Sequence, residues 1–322
     1  LRETVKGHGK RIGARTGALD TFDTFEKLLD AVKEQIAHAL RIDVKAHRYC
    51  QNILARECSF LYQSMLMDDC IARGKDMVSG GLKYLGACVE GFGFTNAGDS
   101  LLSIKKLVYE EKRLTLKQVT QILDADFEGY DKERHWMLAM PKYGNDIPEA
   151  DAMVADLSGF IHKTAKIIGK KAGLDYYIVS SVNPGGITLG RMCGATPDGR
   201  KSGEPFAIGD SLTAGFDKSG LTSMLASVAK SDAANGGYIT NLKLSKELFS
   251  THRANVDALL ATFFRSGGMQ LNITVIGRED LENAIKEPEK HAHVIVRIGG
   301  FSARFIDLDK VTQNEIMART MY

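Results

Sequence analysis

The spacing of apolar residues divides the chain into two parts. Up to about residue 175, apolar side chains recur every three or four positions, which predicts amphipathic helices packed on a core. The first of these helices should follow Thr21, whose hydroxyl can cap a helix N-terminus. Further helices are predicted at about 46–73, at 101–112 after a cap at Asp99 or Ser100, after Thr115, and at about 149–171.

Beyond residue 175, runs of β-branched and aromatic residues replace that spacing. Strands are predicted at Tyr176–Val182, within 267–275 and at His293–Ile298, and a helix-like run from Thr312 to Thr320 lies near the end. The sequence therefore predicts an α/β protein. We expect a mainly helical part at 1–175 and a strand-rich part at 176–322.

Composition narrows the class of protein. The chain has 322 residues, 44% hydrophobic and 25% charged, with a net charge of +2, which is ordinary globular composition. The near-zero charge gives no reason to expect nucleic acid or a membrane surface as a partner. There are five cysteines and eight histidines without metal-ligand spacing, so we expect reduced thiols in the cytoplasm and no metal site.

Two adjacent glycines, Gly299 and Gly300, separate the last predicted strand from the last helix. A glycine pair between apolar runs usually marks a turn. The longer sequence Arg-Ile-Gly-Gly-Phe-Ser-Ala-Arg-Phe resembles the radical-bearing loop of the glycyl radical enzymes, and Gly300 falls on the radical position. A Cα radical needs a planar centre that a Cβ would crowd, so the position must be glycine. Oxygen attacks such a radical and cleaves the chain there. We therefore expect three apolar residues, Ile298, Phe301 and Phe305, to bury the loop.

Other segments resemble the same family in the same order along the chain. The most specific are Lys142-Tyr143-Gly144-Asn145-Asp146 and Thr196-Pro197-Asp198-Gly199-Arg200-Lys201, although the second is also an ordinary turn sequence. The resemblance covers essentially the whole chain. It implies a ten-stranded β/α barrel surrounded by helices, of which this chain would be the C-terminal part ending in the glycine loop.

The family also needs a cysteine, usually in a Gly-Cys-Val-Glu motif, that receives the radical. Cys88 lies in Gly86-Ala87-Cys88-Val89-Glu90, which is similar but stands at the wrong place in the family order. A packed thiol is the alternative for Cys88. We therefore expect the catalytic cysteine, with its glutamate, to come from a missing N-terminal region or a second chain.

Four polar residues are candidates for lining the substrate or the glycine loop. Ser181 and Asn183 lie at the end of a predicted strand, where a turn before Pro184 is the alternative. Gln270 and Asn272 alternate with apolar residues and should share one strand face, which could equally be an ordinary polar face.

The resemblance implies an anaerobic lyase of the dehydratase or decarboxylase type. Gly300 would store a radical installed by a radical S-adenosylmethionine activating enzyme, with no other bound cofactor. A small-molecule substrate and a homo-oligomer are also expected. The alternatives are a spare radical module that repairs an oxygen-damaged larger enzyme, and a formate C-acyltransferase.

Overall fold

The computed structural model describes residues 12–180, 185–231, 237–298, 300–319 and 321–322. Within them the chain forms two compact units. The first comprises the described residues up to Glu90 together with Gly159–Val179, and the second comprises Gly91–Ser158 and the described residues from Ser180 to Tyr322. The predicted boundary at 175/176 stays a prediction.

Helices make up most of the described structure. The longest, α1, is amphipathic and buries Phe25, Leu28 and Leu40 on one face. Among the described residues, none of the helices combines the length and apolar character that a membrane crossing needs. The helices are α1 Phe25–Glu57, α2 Leu61–Leu66, α3 Cys70–Arg73, α4 Phe94–Ile104, α5 Leu116–Asp124, α6 Asp131–Ala139, α7 Pro148–Lys171, α8 Gly185–Arg191, α9 Gly220–Ala229, α10 Lys246–Thr251, α11 Arg253–Arg265, α12 Arg278–Lys286 and α13 Lys310–Ala318.

The described strands are short. In the first unit β1 lies beside β2, and in the second unit β4 and β5 pair in parallel, from Thr240 opposite Leu271 to Leu244 opposite Val275. The helices α10 and α11 connect β4 to β5, as a parallel pair requires. The strands are β1 Gly86–Gly91, β2 Asp175–Ser180, β3 Gly237–Tyr238, β4 Thr240–Leu244, β5 Leu271–Val275, β6 Ile295–Arg297 and β7 Ser302–Arg304.

Several predicted helix ends are wrong, and the local contacts show why. Thr21 lies in a short 3-10 turn, and Thr24 is the residue whose side chain caps α1 by accepting from the backbone N–H of Lys27. That helix continues to Glu57, so the residues from Ala46 belong to it rather than to a second helix.

The start of α4 is also earlier than predicted. It begins at Phe94, directly after Gly93, whose φ of 77° only glycine adopts without strain. Asp99 is therefore inside the helix and does not cap it. By contrast, the predicted cap at Thr115 is confirmed, since Thr115 and Gln118 form a reciprocal capping box on α5.

Candidate functional site

Gly300 lies at the tip of a hairpin made by β6 and β7, which we call the glycine hairpin (described residues of 295–304). Its strands pair antiparallel, from Ile295 opposite Arg304 to Arg297 opposite Ser302. The N–H of Ile298 donates to the carbonyl of Phe301 at 3.1 Å, which closes the connection between the two strands. As predicted, a strand precedes Gly300 and the helix α13 follows it, but β7 lies between them and was not predicted.

Gly300 is exposed at this tip. A Cβ built on it would meet no atom of the described residues within 4 Å. The expectation of a buried loop is wrong for this chain. Ile298 and Phe305 do pack inside, at 4% and 0% exposure, but Phe301 is 55% exposed, because it follows the turn on the side away from the core.

A separate small core lies beneath the hairpin. Val296, Ile298 and Phe305 pack there against Leu281 of α12 and Ile316 of α13, all at most 4% exposed. The backbone N–H of Arg297 also donates to the Thr274 hydroxyl on β5 at 3.2 Å. The base of the hairpin is therefore fixed, whereas its tip projects into solvent.

Two loops differ from the exposed hairpin tip, because they place polar side chains in the interior. We call them the anchor loops (Lys142–Asp146 and Thr196–Arg200). The side chains of Lys142, Asn145 and Arg200 are buried and bonded to backbone. Lys142 Nζ donates to the carbonyls of Met137 and Asp198, at 2.8 and 3.0 Å. The Arg200 side chain, 5% exposed, donates to several carbonyls, including that of Glu204. The sequence motifs in these loops therefore specify internal scaffolding.

A buried carboxyl, Asp99 of α4, lies at the centre of these loops. Its Oδ1 accepts from the backbone N–H of Tyr143 at 2.9 Å, while its Oδ2 is buried without a partner among the described residues. Burial raises the pKa of Asp99 to about 7, although the nearby Lys142 ammonium opposes the rise. Burial likewise lowers the pKa of Lys142, and the carboxylates of Asp99 and Asp198 act against that shift.

A cavity of about 390 Å³ adjoins both regions within the second unit. Its lining includes Asp198 and Arg200 from an anchor loop and Arg319 from the end of α13. Asn241 also lines it, and Asn241 Nδ2 is buried without a partner in the described part of the chain. The cavity can therefore accept the polar atoms of a ligand or of an inserted peptide.

The other candidate residues do not gather at the glycine hairpin. Ser181 and Asn183 lie outside the described residues. Gln270 is exposed and precedes β5, whereas Asn272 is buried on β5 and donates to Asn241 Oδ1 at 3.3 Å. The prediction that these two side chains share one strand face stays a prediction, since β5 begins at Leu271 and Gln270 lies directly before it.

Cys88 lies on β1 in the first unit, while Gly300 lies in the second. The thiol is a free cysteine on an exposed residue. Burial of the sulfur raises its pKa, Glu90 adds to the rise, and a hydrogen bond with Tyr177 opposes it. Nothing in this environment activates the thiol as a thiolate. Its predicted minor role as the thiyl residue stays a prediction.

Polar side chains that the sequence reasoning missed hold the base of the hairpin. Arg319 and Gln313 donate to carbonyls on either side of the glycine pair, and Lys243 donates to the C-terminal carbonyls of α13. A usable signal was present, since Glu315 and Arg319 stand four residues apart on the helix directly after the glycine pair.

Comparisons with known proteins agree with this geometry. Residues 3–178 match the family described as pyruvate formate lyase-like, and residues 206–306, which include Gly300, match the glycine radical family. A glycine radical segment at the end of such a chain defines the glycyl radical class. The chain belongs to the glycyl radical enzymes of the pyruvate formate lyase-like family.

Individual relatives match nearly all of this chain. Trans-4-hydroxy-L-proline dehydratase of Clostridioides difficile is 30% identical over 97% of the chain, and isethionate sulfite-lyase of Oleidesulfovibrio alaskensis is 30% identical over 97%. The glycerol-bound B12-independent glycerol dehydratase of Clostridium butyricum superposes with a TM-score of 0.92, at 32% identity and 98% coverage. The predicted glycyl radical fold is thereby confirmed.

The match covers only part of each relative. The chain spans 40%, 38% and 41% of the lengths of these three proteins, in the order given above. It thus spans about two fifths of the proteins that it resembles.

Proposed function

We propose that this chain is the radical-storing C-terminal part of a glycyl radical lyase and that Gly300 carries the radical. One observation supports the assignment most strongly. A Cβ built on Gly300 would meet no atom of the described residues within 4 Å, whereas close packing leaves no room for a Cβ at other glycines such as Gly144. A chemical requirement at Cα accounts for a glycine that packing does not need.

In this proposal an activating radical S-adenosylmethionine enzyme removes one hydrogen atom from the Gly300 Cα. The exposed hairpin tip suits that step, because the activating enzyme must reach the backbone itself. The Gly300 radical then takes the hydrogen atom of a cysteine S–H, which restores glycine and leaves a thiyl radical. The thiyl radical removes hydrogen from the substrate, and the substrate radical loses a neighbouring group.

The catalytic cysteine and most substrate contacts come from polypeptide beyond these residues, in the same protein or in a second chain. The share of the relatives' length that this chain covers supports this part of the proposal. So does the concentration of exposed apolar side chains along 49–71 of the first unit, because exposed apolar residues that form a patch often mark an interaction site. Its members, each between 41% and 74% exposed, are Tyr49, Phe60, Leu61, Tyr62, Met65, Leu66 and Ile71.

The same additional polypeptide would shield the hairpin tip from oxygen in the assembled enzyme. Exposed apolar residues of the hairpin support this, since Phe301 next to Gly300 is 55% exposed and Ile295 at the open end is 61% exposed. A stored radical at an unshielded tip would be lost to air, so assembly and anaerobic conditions are both required in this account.

Elimination of water is the favoured reaction. Several relatives are dehydratases, namely those named for trans-4-hydroxy-L-proline, (2S)-3-sulfopropanediol and glycerol. The substrate class proposed here is therefore a small molecule with a hydroxyl next to the carbon that loses hydrogen. Isethionate sulfite-lyase shows that the departing group differs within the family.

Oxygen cleavage tests radical storage at Gly300. The chain is activated anaerobically, exposed to air and analysed by mass spectrometry, with Gly300→Ala treated in parallel. We expect backbone cleavage at Gly300 in the wild-type chain and none in the variant. Cleavage elsewhere, or an intact wild-type chain after confirmed activation, would contradict the assignment.

Reconstitution tests the source of the cysteine. The activated chain is combined with a polypeptide corresponding to the remaining part of a relative, and carbonyl product is measured from a 1,2-diol. A Cys88→Ser variant should retain full activity if the additional polypeptide supplies the thiyl. Loss of activity in a folded Cys88→Ser variant would assign the thiyl to this chain.

A further inference from the structure

The last turn of α13 reaches the backbone directly before the glycine pair. Arg319 Nη1 donates to the carbonyl oxygen of Arg297 at 3.1 Å, and Nη2 lies 3.5 Å from the carbonyl oxygen of Ile298. Arg297 is the last residue of β6 and Ile298 follows it, where the chain leaves the strand. A single guanidinium thus contacts the entry to Gly300.

That guanidinium is itself held in one orientation. Its Nε and Nη2 donate to the two carboxylate oxygens of Glu315, at 2.9 and 2.7 Å. Both side chains are only 12% exposed, so solvent competes weakly for these bonds. A bidentate arginine–carboxylate pair fixes the guanidinium plane, which leaves Nη1 directed at the hairpin carbonyl.

Two further contacts make α13 a rigid support. Gln313 Nε2 donates to the carbonyl of Phe305 at 2.9 Å, on the exit side of the hairpin. Lys243, 4% exposed on β4, donates through Nζ to the carbonyls of Ile316 and Met317 at the end of α13. A cation at this position also complements the negative end of the helix dipole. The helix α13 is therefore fixed to β4, and its side chains are bonded to backbone next to both β6 and β7.

We propose that Arg319, oriented by Glu315, is a positioning residue that sets where the Gly300 Cα stands. The expected effect on the stored radical rests on the proposed function. The effect on the position of the hairpin rests on the hydrogen bonds alone. The tip of the hairpin has few packing contacts of its own, so bonds at its base determine its position. Loss of the Arg319 bonds lets the hairpin open and leaves the stored radical in the wrong place.

Hydrogen exchange on the unactivated chain tests the mechanism without any radical. Arg319→Met should speed amide exchange in peptides covering 294–305 by about tenfold or more, because charged hydrogen bonds to buried carbonyls are lost. Arg304→Met is the matched control, since it removes an exposed ion pair with Asp307 from the same hairpin. It should change exchange less than about twofold, as exposed ion pairs contribute little.

Further variants keep the test decisive if Arg319→Met is broadly unstable. Glu315→Gln retains Arg319 but removes the carboxylate that fixes the guanidinium plane. Arg319→Lys retains the positive charge but not the two-pronged guanidinium. Both variants should speed amide exchange in 294–305 by factors between those of wild type and Arg319→Met. Unchanged hairpin exchange in Arg319→Met would overturn the proposal. So would acceleration spread evenly over the second unit in all three variants.

Spectroscopy of the activated chain tests the consequence. We expect the radical doublet of Arg319→Met to decay several-fold faster than that of wild type, with Arg319→Lys in between. Equal lifetimes, together with unchanged exchange, would refute the positioning role. If wild type itself gives no doublet, the proposed function fails while the exchange result still decides whether Arg319 holds the hairpin.

Discussion

Two glycine-containing regions of the second unit differ in why they contain glycine. In the anchor loops, Gly144 has a φ of 88°, and a Cβ there would lie 2.5 Å from Leu212 Cβ. In the glycine hairpin, a Cβ built on Gly300 would meet no atom of the described residues within 4 Å. Packing requires the first glycine, and the proposed radical chemistry accounts for the second. The comparison teaches that sterics alone would not have marked Gly300.

Two carboxyl groups near these regions also have pKa values shifted in opposite directions. Asp99, beside the anchor loops, is 1% exposed, and burial raises its pKa to about 7. Asp309, the N-cap of α13, accepts from the N–H groups of Val311 and Thr312, and its bond with the Thr312 hydroxyl lowers its pKa. One carboxyl therefore favours its protonated form in the fold and the other its charged form.

The largest expected effect is the pH dependence of stability due to Asp99. In the unfolded chain this carboxyl titrates near 3.8, and in the fold near 7. Between these values the folded state holds a proton that the unfolded state releases, so stability falls as pH rises. The full loss is about 4 kcal/mol by pH 8, at roughly 1.4 kcal/mol per pKa unit. Denaturant titrations from pH 4 to 8 measure it.

Asp99→Asn should remove that loss and flatten the pH profile. Asp309→Asn is the control from the other region: its native pKa is depressed, so its contribution is present above the unfolded pKa and disappears as pH falls through the folded one. Identical profiles for wild type and Asp99→Asn would show that Asp99 is charged in the folded protein.

The second-largest expected effect separates overpacking from backbone strain at two glycines. Gly144→Ala should lower the free energy of unfolding by about 3 kcal/mol, because it adds both backbone strain and overpacking against Leu212. Gly203 has a φ of 79° and no atom near a Cβ, so Gly203→Ala should cost only about 1 kcal/mol. Chemical denaturation at one pH measures both.

The smallest expected effect is that of Gly300→Ala on stability. Because the added Cβ would meet no atom of the described residues within 4 Å, the free energy of unfolding should stay within about 0.5 kcal/mol of wild type. A loss comparable to that of Gly144→Ala would contradict the distinction between the two regions, since it would mean that the hairpin also needs glycine for its fold.

The sequence was sufficient for the family, the α/β class and the strand–glycine–helix order. It also located the capping box at Thr115, because that signal is local. It misplaced the start of α1, since threonines at 21 and 24 are equally good caps and only tertiary packing selects between them.

The burial of the glycine loop could not be read from composition. Phe301 and Phe305 are alike as residues, but the turn places one in solvent and the other in the core beneath the hairpin. The four-residue spacing of Glu315 and Arg319 indicates their ion pair, but it does not reveal which backbone carbonyls Arg319 and Gln313 reach. Both outcomes depend on three-dimensional contacts rather than on spacing.

Electron paramagnetic resonance of the anaerobically activated chain tests the central claim most directly. The account predicts a doublet from the one remaining Cα hydrogen in wild type, and no signal in Gly300→Ala despite unchanged stability. A doublet that persists in Gly300→Ala, or its absence from wild type with a competent activating enzyme and any partner chain present, would contradict radical storage at Gly300.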